Sequence, residues 1–97
     1  MKVLCVKLTT GEELASQVEE KDGFYELKNP IRLLLTPQGI STMPFLPYCK
    51  DGITVSIDKA HVMFTAELDL EVLNAYNQQY GSGIVLAAET PTFKLST

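Results

Sequence analysis

Residues 53–68 read Ile53-Thr54-Val55-Ser56-Ile57-Asp58-Lys59-Ala60-His61-Val62-Met63-Phe64-Thr65-Ala66-Glu67-Leu68. Two runs in this stretch alternate apolar and polar side chains with period two, the pattern of strands that bury one face. Ile53, Val55 and Ile57 share one face, opposite Thr54, Ser56 and Asp58. Val62, Phe64, Ala66 and Leu68 share one face, opposite His61, Met63, Thr65 and Glu67. Only Asp58-Lys59-Ala60-His61 separates the runs, so the two strands meet at a tight corner.

The same period continues upstream. Leu4, Val6 and Leu8 share a strand face, and Thr9-Thr10-Gly11 ends that run as a turn. Leu14 and Val18 lie on one face of a second strand, with Glu13, Gln17 and Glu19 on the other. Lys21-Asp22-Gly23 is a hairpin signal, because Asp and Gly accept the backbone of tight turns. A third strand starts at Phe24 to Leu27 and is interrupted at Asn29-Pro30, where proline removes a donor and favours an edge, bulge or bend. It resumes as Ile31 to Leu35. Pro37-Gln38-Gly39 turns the chain, and Ile40 to Met43 returns. The two prolines of Met43-Pro44-Phe45-Leu46-Pro47-Tyr48 exclude a central strand. That segment is apolar enough to be expected against the domain or a neighbouring subunit.

Downstream, one helix is expected from about Asp69 to Tyr80. Asp69 caps its start, and Leu68, Val72, Tyr76 and Tyr80 form a stripe at four-residue spacing with Leu73 alongside. Gly81 ends it. Gly83 to Ala88 is strand-like, and residues 90–97 read as a loose tail. The expected organisation is one domain: a barrel over 1–68, the helix and strand-like tail of 69–89 packed on it, and the tail.

The chain has 97 residues, 45% hydrophobic and 21% charged, which suits one small globular domain. No apolar run approaches ~18 residues, so no membrane-spanning helix is expected. The N-terminus lacks the features of a secretory signal. Together with unpaired cysteines at 5 and 49, which read as free thiols, this points to the cytoplasm. Eight basic against twelve acidic residues give a net charge of −4, the wrong sign for nucleic-acid binding by bulk charge, so any RNA contact must be local. With one His, two isolated Cys, no G-x-S-x-G and no phosphate-cradling loop, the sequence calls for no catalysis, no metal and no cofactor. The pairs Glu12-Glu13 and Glu19-Glu20 are adjacent, so their side chains point to opposite strand faces and make poor acid–base dyads.

Five short, sharply bent antiparallel strands followed by a helix make a mostly-β, open SH3-like barrel. The order of its turns resembles the Sm-like family (Sm, LSm and Hfq). Val6-Lys7-Leu8-Thr9-Thr10-Gly11-Glu12-Glu13-Leu14 is similar to the opening of the family's first motif, and Ile57-Asp58-Lys59-Ala60-His61-Val62 to its final short turn. Asp22 stands where the family places an Asp between its second and third strands. The set KLTTGEEL, KNP, MPFLPY and AYNQQYGSGI looks like small Sm-like proteins of marine phage.

The resemblance implies a homo-oligomeric ring. Its penultimate and last barrel strands would pair between neighbours through Thr54, Val55, Ser56, Ile57, Val62, Met63, Phe64 and Thr65, with Phe45 and Leu46 contributing apolar contacts. Five to seven subunits are expected. It also implies single-stranded RNA at pore-facing loops, with Asp22, Tyr25, Lys59 and His61 as the contact residues. The pattern departs from the family at three points. The N-terminal helix is absent, Asp58-Lys59 replaces the final-turn Arg-Gly, and Glu26 stands near the place of a loop Asn. By the resemblance, the last two changes fall on RNA-contacting positions and define the alternative, a structural or protein-interaction module with this fold that does not bind RNA.

Overall fold

The computed structural model describes residues 2–50, 52–81 and 92–93. It is mostly β, an unclosed antiparallel sheet with one helix after its main strands. The strands are β1 (Lys2–Leu8), β2 (Glu13–Glu20), β3 (Phe24–Thr36), β4 (Gly39–Pro44), β5 (Thr54–Asp58) and β6 (Val62–Ala66), with a two-residue β7 at Thr92–Phe93. The order runs β6-β1-β2-β3-β4-β7, and β5 also pairs with β3. Among the described residues no helix is long and apolar enough to cross a membrane.

Five strands were expected before the helix, and six form. The return from the Pro37–Gly39 turn, read as Ile40 to Met43, forms a full strand, β4, which pairs with β3 from Thr36↔Gly39 to Ile31↔Pro44. Both β4 and β5 fit on one edge of β3 because that strand is long and bent in the middle. Its first half pairs with β5 (Phe24↔Asp58 to Lys28↔Thr54) and its second half with β4.

The bend is a β-bulge. Against β2 the register steps from Gln17↔Lys28 to Ala15↔Ile31, so Asn29 and Pro30 together oppose Ser16. Asn29 takes φ +52, a left-handed conformation that Asn tolerates better than most residues. Ser16 is fully buried, and its hydroxyl donates to the carbonyls of Lys28 (3.0 Å) and Gln17 (2.9 Å).

The sheet buries both faces. On the inner face Val6, Leu8, Leu14, Val18 and Leu27 form one cluster, with Leu4, Tyr25, Phe45, Ile57 and Val62 packed against it. On the outer face Ala15, Ile31 and Tyr76 form a second, flanked by Val3, Leu33, Leu68 and Tyr80. Helix α1 (Leu70–Tyr76) covers this outer cluster. Asp69 caps it, its carboxylate accepting from the Glu71 amide at 3.4 Å, and Val72 and Tyr76 are its buried residues. The α-helix is shorter than expected, because Asn77–Gly81 widen into a π turn. The Tyr76 and Tyr80 rings pack 4.9 Å apart on that side.

Two further differences follow from local geometry. Phe64 was expected on one strand face with Val62, yet Val62 packs on the inner core whereas Phe64 is 49% exposed. Lys7 pairs with Phe64 and Leu8 with Val62, which leaves Met63 as an extra residue in a second bulge. That insertion reverses the alternation, so Thr65 now lies opposite buried Val6 and Phe64 lies beside Lys7 on the outer face. The Met43–Tyr48 segment divides: Phe45 packs on the inner core, whereas Tyr48 is 97% exposed. The strand-like run at 83–88 lies outside the described residues. Within the stretch expected to be loose, Thr92–Phe93 pair with Ser41 and Ile40.

Candidate RNA-contacting corner and open strand edges

Asp58 to His61 form a single turn of 3-10 helix between β5 and β6. The Asp58 carboxylate caps it, accepting from the Ala60 amide at 2.8 Å, which is why Asp suits this position. Two hairpin turns hold it from either side. The Lys59 amide donates to the Gly23 carbonyl (3.1 Å) in the β2–β3 turn, and the Thr9 amide in the β1–β2 turn donates to the His61 carbonyl (2.9 Å). Gly23 has φ +87, which its turn requires and other residues rarely adopt.

This arrangement brings Lys59, Tyr25 and Asp22 together. The Lys59 ammonium lies 5.4 Å from the centre of the Tyr25 ring and 2.7 Å from the Glu20 carboxylate. Its pKa is raised, first by the hydrogen bond it donates to Glu20, with burial opposing and the charges of Glu20, Tyr25 and Asp22 adding to the rise. Tyr25 pairs across the sheet with Glu20 on one side and Ile57 on the other. Its ring is half-buried against the inner core, which gives it a packing role. The His61 side chain is exposed and has no partner among the described residues. It shares the turn with Lys59, but its backbone is tied to the β1–β2 side.

The sequence reading did not single out Glu20, although the hairpin that places Tyr25 also places Glu20 directly across from it. Glu20 changes the electrostatics. Lys21 sits 3.5 Å from both Glu19 and Glu26, whose charges raise its pKa, Glu19 the more. The corner therefore carries Glu19, Glu20, Asp22, Glu26 and Asp58 against Lys21 and Lys59, and both lysines are paired with carboxylates.

Among the described residues, β5 pairs only with β3 and β6 only with β1. Each leaves one edge open. The Lys59 amide bonds to the Gly23 carbonyl and the Asn29 amide to the Ile53 carbonyl, so alternate residues Val55 and Ile57 direct their backbone groups toward β3. Thr54, Ser56 and Asp58 direct theirs to the open edge. On β6, the Leu8 amide bonds to the Glu12 carbonyl, away from β6, so Val62 opposite Leu8 faces outward. Thr65, opposite Val6, does the same. Apolar side chains border this edge: Met63 is 61% exposed and Phe64 nearly half. Of the other candidate contact residues, Phe45 is engaged in its own core and Leu46 is half-buried beside a small groove. Groups of His, Cys, Asp and Glu arranged to hold a metal do not occur among the described residues. The chain matches no protein-family model, and no curated protein is significantly similar to it.

Proposed function

We propose that this protein is a self-assembling module with an Sm-like barrel, whose subunits join by pairing β5 of one copy with β6 of the next. One observation carries the reading: β5 and β6 flank a single compact turn, and among the described residues each offers an unpaired edge. Open edges invite pairing with another chain. A junction of about four backbone hydrogen bonds gives roughly 4 kcal/mol net. Association costs an estimated 4–15 kcal/mol, so apolar contacts must add to the ladder. Met63 and Phe64 are exposed at that border and each would supply up to about 1.5–3 kcal/mol on full burial. The contact joins two different edges, so it is head-to-tail and must close or continue as a fibre. We expect closure with five to seven copies. Light scattering should report a discrete mass several times 10.7 kDa, insensitive to salt. A monomer at micromolar concentration would falsify the ring.

The second reading adds single-stranded RNA at the corner. It is favoured by a lysine lying over a tyrosine ring beside an exposed histidine, the elements of phosphate contact and base stacking. The carboxylates around Lys59 weigh against it, because phosphate must displace Glu20 from the ammonium in an acidic setting. The assembly module without RNA binding is therefore the better-supported form. Titration with oligo-U and oligo-A at two salt concentrations separates the two. Binding at low salt that weakens steeply with added salt and is lost on Lys59→Glu establishes the RNA reading; no binding at low salt eliminates it.

A further inference from the structure

Resting on the assembly reading, we infer that helix α1 positions the β5 edge, acting through the hydroxyl of Tyr76 on the bend of β3. Tyr76 is the last α-helical residue and is fully buried. Its hydroxyl donates to the carbonyls of Asn29 (2.8 Å) and Lys28 (3.1 Å), and it accepts from the Gln17 amide at 3.3 Å. These three backbone groups flank the β2–β3 bulge. The ring itself needs only apolar surroundings; the hydroxyl is the part that reads the bend.

The bend decides where β5 lies. Lys28 pairs with Thr54, and the Asn29 amide donates to the Ile53 carbonyl at 3.2 Å. The first bond into β5 thus starts from Asn29, one of the two residues whose carbonyls Tyr76 holds, and Lys28, the other, lies opposite Thr54. Ser16 holds the Lys28 carbonyl from within the sheet, and Tyr76 adds the only side-chain hydrogen bond to the Asn29 carbonyl among the described residues. Beyond the bulge the other half of β3 carries β4 and stays with the outer core. A change in the bend therefore rotates the β5 edge relative to β6 while leaving β1, β2 and β6 in place. In a head-to-tail assembly the angle between the two edges of one subunit fixes the rotation from copy to copy, and with it the number of copies that close. Tyr76 is a positioning residue in this sense; it touches no neighbouring subunit.

Tyr76→Phe keeps the ring and removes the hydroxyl. Amide hydrogen exchange is the direct readout, and it does not require assembly. The expected result is exchange roughly five- to tenfold faster at Asn29, Val55 and Ile57, whose amides lie in the β3–β5 ladder, with Val6 and Leu14 in the β1–β2 ladder unchanged. A uniform acceleration across the sheet would reduce Tyr76 to general stability and overturn the inference, as would no change. Leu70→Ala, at an exposed position of the same helix, should leave all of these amides as they are. If the variant cannot be purified folded, Ser16→Ala tests the same bend from inside the sheet, with the same selectivity for the β3–β5 amides expected and uniform loss of protection refuting it. Light scattering on the same samples adds the assembly arm. A wild-type oligomer of discrete mass whose copy number changes in Tyr76→Phe supports the inference. An unchanged discrete mass overturns the link to assembly, and a wild-type monomer refutes the ring reading while exchange still decides whether Tyr76 sets the bend.

Discussion

A proline at Ser56 tests the β5 edge with little damage to the subunit. The Ser56 amide points away from β3, so the substitution removes no bond of the β3–β5 ladder. Proline is tolerated on an edge strand in that orientation, and Val55 before it is already extended. The cost to the isolated subunit should be about 1 kcal/mol. At a junction between copies the same change deletes one hydrogen bond, about 1 kcal/mol, and leaves a carbonyl on the neighbour unsatisfied, about 1–3 kcal/mol more. A loss of roughly 2–4 kcal/mol is half or more of the ~4 kcal/mol estimated for the whole ladder. The assembly should then fall to monomers at micromolar concentration while circular dichroism stays strand-dominated. Val55→Pro is the contrasting variant, because its amide faces β3, and it should unfold the subunit. If Ser56→Pro kept the wild-type mass by light scattering, β5 would not be the assembling edge.

Asn29→Gly should leave the midpoint of urea unfolding nearly unchanged, whereas Asn29→Ala should lower stability by about 1–2 kcal/mol, since alanine resists the left-handed backbone at φ +52. Burial pushes the Tyr76 hydroxyl up to about 12 from its ordinary 10, opposed by the hydrogen bond from Gln17. A pKa raised on folding gives stability that is complete below the unfolded value and lost as pH rises through the folded one. Up to about 3 kcal/mol should therefore disappear between about pH 10 and about pH 12, and denaturant titrations of Tyr76→Phe should lack that step. Cys5 and Cys49 should both react with a thiol reagent, Cys49 at once and Cys5 mainly after denaturation. Cys5 is half-buried, and burial followed by the charge of Glu13 raises its pKa. Equal native rates would refute that assignment.

Much of the sheet was legible because strands with one buried face write period two into the chain. The turns at Gly11, Gly23 and Gly39 were legible for a related reason, as each takes a positive φ that glycine supplies. Asn29-Pro30 marked the bend, but not its consequence. The return at Ile40 to Met43 was legible; that it shares one edge of β3 with β5 was not, because that depends on tertiary pairing. The bulge at Met63 was invisible, since a single inserted residue leaves a local run alternating while reversing its sense relative to β1. At the corner, Lys59, Tyr25 and Asp22 were expected together, and their proximity followed from two short turns. The Glu20 partner was not foreseen, although the same hairpin sets it opposite Tyr25, because only the docking of the Lys59 corner on that hairpin brings the two charges together. The hydroxyl bonds of Tyr76 were equally hidden; a tyrosine in an apolar stripe reads as bulk, and only the fold brings the bulge beneath it.

The pairing of β6 with β1 has a kinetic consequence. The joints β1–β2, β2–β3 and β3–β4 are hairpins between consecutive strands, whereas β6 must return across everything between Leu8 and Val62. Closing so long a loop is slow, so this joint should form after the hairpins. Neighbouring amides report the order: Leu8 bonds to Glu12 within the first hairpin, and Thr9 bonds to His61 across the late joint. In pulse-labelled refolding, Leu8 should gain protection before Thr9. On the proposed assembly, β6 presents a single open edge only after this joint has formed.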